Sequence, residues 1–95
     1  MRHPTFRRKP RKRSVLVAAH GLRHGPRQDS YGDPTDTWAE VAQVWSVLTG
    51  VEITPERAVL LMAALKLVRA NRRHDFDDLA DLAAYADIAN DFRDP

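Results

Sequence analysis

The chain contains no cysteine, which removes disulfide frameworks, thiolate zinc sites and cysteine nucleophiles together. No apolar run approaches the roughly 18–20 residues that a bilayer span needs. The basic opening stretch has no apolar segment ahead of a cleavage site, so no secretory signal is expected. No Walker-type glycine loop and no serine–histidine–acid order occurs. His20, His24 and His74 read as loop or boundary residues, without metal-ligand spacing and without a cysteine in support. At 95 residues there is room for one small domain and none for a cofactor domain beside a catalytic one. No cofactor, no metal and no membrane contact are expected, and a reducing, intracellular setting is the default.

What is present is ordinary globular material, 43% hydrophobic and 29% charged, in an unusual order of charge. The formal net charge of +2 hides four blocks. Residues 1–13 carry seven cations and no acid, and residues 14–56 carry two cations and six acids. Residues 57–74 carry Arg57, Lys66, Arg69, Arg72 and Arg73 with no acid, and residues 75–95 carry seven aspartates against Arg93. Residues 1–13 cannot bury enough apolar surface to offset their ordering entropy, so they read as a flexible basic arm. Residues 14–95 then form a single α-helical domain of net charge −5. Arg7, Arg8, Lys9, Arg11, Lys12 and Arg13 make the arm a candidate for salt-dependent phosphate contacts with nucleic acid. A solubilising tail, or an anchor on an acidic partner, fits the same residues. Beyond Phe6 the arm has no aromatic to stack on bases.

Four helices follow from local signals. Ser14 can cap the short apolar run SVLVAAHGL, whose valines leave a strand possible. Residues 23–34, with two glycines and two prolines, read as a loop. That loop is either an anion cradle built on Arg23, Arg27, Tyr31 and Gly32, or a turn in which Tyr31 plugs the core. Asp33-Pro34 starts the second helix and Gly50 ends it in a left-handed cap. Trp38, Val41, Trp45 and Leu48 share one face, the tryptophans as core or dimer-interface anchors. Thr54-Pro55-Glu56 starts the third helix, and AVLLMAALKLVRA is apolar on every side except Lys66 and Arg69, as a helix in the middle of a bundle would be. Asp75 or Asp77 caps the last. About 80 residues sit near the limit at which one core gives only about 3–5 kcal/mol, so a homodimer or higher oligomer is expected.

Lys66 and Arg69 are the informative pair, because such residues are rarely buried without partners. A short antiparallel turn centred between residues 73 and 74 sets Lys66 opposite Asp81, Arg69 opposite Asp78 and Met62 opposite Tyr85. Asp78, Asp81 and Tyr85 share one helix face. These residues make either an ion-pair ladder that locks the hairpin or an anion site of two cations and a tyrosine hydroxyl. Asp78 also has a plainer role open to it, as a capping-box acid below Asp75.

HGPRQDSYGDP (24–34), WAEVAQVW (38–45), ITPERA (53–58), LKLVR (65–69) and HDFDDLADLAAY (74–85) together resemble a family of small bacteriophage proteins, catalogued as a domain of unknown function and frequent in actinobacterial phages. The resemblance covers about residues 14–88, and Arg27 to Pro34 is its most specific part. It implies action in the host bacterial cytoplasm. A more distant similarity is to the all-α nucleoside triphosphate pyrophosphohydrolases of the MazG type, which carry E-x-x-E on one helix and E-x-x-D on the next to hold Mg²⁺. Asp78 and Asp81 match the second motif, with Tyr85 following. Lys66 and Arg69 stand where the first acid pair belongs, and cations cannot coordinate Mg²⁺. The resemblance therefore implies a MazG-like helical scaffold able to bind phosphate through Lys66, Arg69 and Arg27. It leads to a non-catalytic binding protein acting on a host protein, nucleotide or nucleic acid during infection. The alternative is a divergent MazG-like pyrophosphohydrolase, for which Mg²⁺ would be the cofactor.

Overall fold

The computed structural model describes residues 12–25 and 33–93, which form four α-helices and no strand. They are α1 (Val15–His24), α2 (Pro34–Thr49), α3 (Pro55–Arg73) and α4 (Phe76–Asp91). The Ser14 hydroxyl accepts from the Leu16 and Val17 amides, so the valine-bearing run is a helix and not a strand. Asp33 accepts from the Thr35 amide, Thr54 from the Arg57 amide and Asp75 from the Asp77 amide. The Asp33 carboxyl is held below its usual range, first by the Thr35 amide and then by the Thr35 hydroxyl. Gly50 ends α2 at φ 74°, in the left-handed region where a side chain would be strained. The link to α3 is then clamped by Ser46, whose Oγ accepts from the Ile53 amide at 2.8 Å.

Three expectations need correction. The loop read from residue 23 starts later, because α1 runs through His24 and its last turn is closed by the Gly25 amide on the Gly21 carbonyl at 2.8 Å. A Cβ on Gly25 would lie 2.5 Å from that carbonyl oxygen, so this termination needs glycine. On the face of Trp38, Val41, Trp45 and Leu48, the first three are half-buried but Leu48 is 77% exposed. Finally, α3 is not the central helix. Its Leu60, Leu61, Leu65, Leu67 and Val68 are exposed, and the helix that touches all three others is α4.

Side-chain size explains that exchange. Five of the sixteen residues of α4 are alanine, so neighbours approach it closely from several sides. Ala80, Ala84, Ile88 and Ala89 are buried there. By contrast α3 packs against α4 and α2, and its remaining side, with Leu60, Leu61, Leu65, Leu67 and Val68, stays exposed. Among the described residues the buried apolar set is accordingly slight: seven alanines with Val59 and Ile88. Burial of a large aliphatic side chain contributes about 1.5–3 kcal/mol, and only these two supply it in full. Trp38, Tyr85 and Phe92 pack around them. Trp38 meets Tyr85 edge-to-face at 5.8 Å between ring centroids and Trp45 at 6.4 Å.

Candidate functional site

The hairpin of α3 and α4 brings four charged residues together. Its turn is tight: His74 takes the left-handed conformation at φ 53° and its amide bonds the Ala70 carbonyl, after which Asp75 caps α4 at once. So short a turn forces an antiparallel register with equal spacing on both sides. Lys66 Nζ lies 2.9 Å from Asp81 Oδ2, and Arg69 Nε donates to Asp78 Oδ1 at 3.0 Å. Lys66 is also 3.9 Å from Asp78 Oδ1, so that oxygen is shared by two cations. The carboxylate is the deeply placed member: the Asp78 side chain is 3% exposed, against 17% for Lys66 and 40% for Arg69. The second Asp78 oxygen is buried with no protein hydrogen-bond partner. Asp78 is thus committed to α3 and forms no capping box at the start of its own helix.

Tyr85 belongs with the core. It packs on the Val59–Ile88–Ala89 cluster and against Trp38. Arg27, Tyr31 and the arm residues Arg7, Arg8, Lys9 and Arg11 lie outside the described residues. Lys12 and Arg13 are exposed, and the Arg13 guanidinium sits 4.1 Å from the centroid of the Phe76 ring, a cation–π contact on the first turn of α4.

A second cluster escaped the sequence reading. Arg23, assigned there to a loop, is buried in α1 and reaches across to α4, where its two terminal nitrogens meet Asp87 at 2.5 Å and Asp91 at 2.6 Å. Asp87 lies nine residues after Asp78, about 2.5 helical turns, so the two acid pairs of α4 point to opposite sides. One pair answers α3 and the other answers α1. The signal available in sequence was the i, i+4 spacing of Asp87 and Asp91, but nothing local names a partner 64 residues away. The extension of α1 also puts His20 and His24 one turn apart, with ring centroids at 4.6 Å. Among the described residues, no group of three or more His, Asp or Glu side chains is arranged to hold a metal.

A family model described as "Domain of unknown function (DUF6378)" matches residues 14–93. The chain belongs to the DUF6378 family. Among curated proteins it is similar to the Gene 55 protein of Mycobacterium phage L5, 35% identical over 78 residues, which are 79% of this chain and 49% of the relative. It is also similar to the Gene 55 protein of Mycobacterium phage D29, 31% identical over 74 residues, 77% of this chain and 49% of the relative. The chain therefore spans about half the length of the curated relatives it matches. No solved structure matches it. The match to DUF6378 covers all four helices and both acid pairs of α4, and its relatives here are phage proteins. Among the described residues no helix is long and apolar enough to cross a membrane.

Proposed function

We propose that this DUF6378 chain is a non-catalytic binding protein that engages a host protein, nucleotide or nucleic acid in the infected cell. The observation that carries the reading is the occupation of Asp78 and Asp81. A Mg²⁺-dependent pyrophosphohydrolase needs such carboxylates free to face the metal, with more hard oxygen donors opposite them. Here an ammonium stands 2.9 Å from Asp81 and a guanidinium nitrogen 3.0 Å from Asp78. A cation would have to displace two built-in cations, so the donor set does not fit Mg²⁺. The MazG-like part of the resemblance thus supplies a hairpin but not its chemistry. The same occupation weighs against an anion site at Lys66 and Arg69, because both are already neutralised by carboxylates. Of the three ligand classes a protein has the most support, from the exposed aliphatic surfaces of α2 and α3, of a kind that monomeric proteins rarely leave open.

The test is an incubation with a panel of ribo- and deoxyribonucleoside triphosphates and Mg²⁺ or Mn²⁺, following pyrophosphate release. No turnover above the Asp78→Asn background is expected. Turnover that disappears in both Asp78→Asn and Asp81→Asn overturns the reading in favour of the divergent enzyme.

A further inference from the structure

Beside the exposed Leu16 and Val17 of α1, the aliphatic faces of α2 and α3 are open, and these two carry opposite charge at their rims. On α2, Val44, Val47 and Leu48 are exposed, with Val47 at 82%, and Val51 continues the face past the cap. The exposed ionisable residues beside them are Asp36, Glu40 and Glu52, all acidic, and no Lys or Arg occurs anywhere from residue 28 to residue 56. On α3, Leu60, Leu61, Leu65, Leu67 and Val68 are exposed with Ala64 among them. The exposed charged residues of the helix that flank this face, Arg57 at one end and Arg72 and Arg73 beside Asn71 at the other, are all basic. The remaining charges of α3 are turned elsewhere: Lys66 and Arg69 to α4, and Glu56 to Arg93.

We propose that the chain self-associates by seating the α2 face of one copy on the α3 face of a second. Apolar area is available on both, and charge selects the pairing. An α3 face on an α3 face brings arginines to arginines, and an α2 face on an α2 face brings acids to acids. Between these two faces, only the mixed contact sets an acidic rim against a basic one. A further push toward it comes from the core of the described residues, which is made chiefly of alanine and leaves these larger aliphatic side chains outside. Because the two surfaces are different patches of one chain, the contact is heterologous and each added copy offers a fresh face of each kind. The inference rests on the reading of these faces as binding surfaces. Its readout is assembly and not turnover, so the two can fail separately.

The experiment is sedimentation velocity on the full chain at rising concentration and at low and high salt, with Val47→Glu to spoil the α2 face and Leu61→Glu to spoil the α3 face. Wild type is expected to assemble, less so at high salt. Each variant alone is expected to be monomeric. An equimolar mixture of the two should double in mass and go no further, because one retains an α3 face and the other an α2 face. Helix content by circular dichroism checks folding, and Val47→Gln and Leu61→Gln replace any glutamate variant that unfolds. A wild type that stays monomeric, a variant that still assembles alone, or a mixture that stays monomeric overturns the proposal.

Discussion

The two acid pairs of α4 bury opposite partners. Toward α3 the carboxylate is deep, with Asp78 3% exposed, and its cations reach it from a wetter surface. Toward α1 the cation is deep, with Arg23 9% exposed, and Asp87 and Asp91 are 57% and 40% exposed. An ion pair with one buried member is not symmetric in energy. Removing the exposed partner strands a buried charge, whereas removing the buried member lets the exposed ones return to water. The same helix thus holds two latches of opposite polarity, and substitutions on them should respond in opposite order.

The largest effect is expected at the α3 latch. Lys66→Met together with Arg69→Met strands Asp78 and should lower unfolding free energy by about 3 kcal/mol, at the low end for broken buried pairs because Arg69 is partly exposed. Asp78→Asn with Asp81→Asn should cost clearly less, measured by the same urea denaturation. At the α1 latch the order reverses. Asp87→Asn with Asp91→Asn strands Arg23 and should cost about 2 kcal/mol, because both acids are partly solvated. Arg23→Met, which keeps the length of the stem, should cost less than that pair. An equal loss from either member of a latch would break the comparison. A control away from both latches comes next: Ser46→Ala leaves the Ile53 amide without its acceptor and should cost about 1 kcal/mol.

The smallest effect is a pH dependence at Asp33. Its folded carboxyl titrates below its unfolded value of 3.8. The stabilisation is therefore full above that value and is lost as pH falls through the lower folded value. Thermal melts between pH 5 and pH 2 should show Asp33→Asn losing less of its melting temperature than wild type, since an asparagine caps without a charge to titrate.

The hairpin latch could be read from sequence because its partners lie nine to fifteen residues apart on either side of one tight turn. In that arrangement register is simple arithmetic. Helix starts were equally accessible, since Ser14, Asp33, Thr54 and Asp75 each act within three residues of their own backbone. What escaped was every long-range choice. The Arg23 latch spans 64 and 68 residues, and no periodicity links α1 to α4. The place of α3 is hidden from the sequence for a related reason. Its hydrophobicity states that its sides must be covered, but not that its own chain leaves one of them open. The alanines that put α4 at the centre were visible, though small residues mark a helix as central only once its neighbours are known.

Everything said of the α3 latch rests on buried Asp78 being held by the cations of α3. A double-mutant cycle of Arg69→Met and Asp78→Asn, read by equilibrium unfolding, tests it most directly. A coupling of at least about 1.5 kcal/mol is expected, because the contact is short and its carboxylate is buried. Additive losses, with coupling near zero, would contradict it and leave Asp78 free for other work.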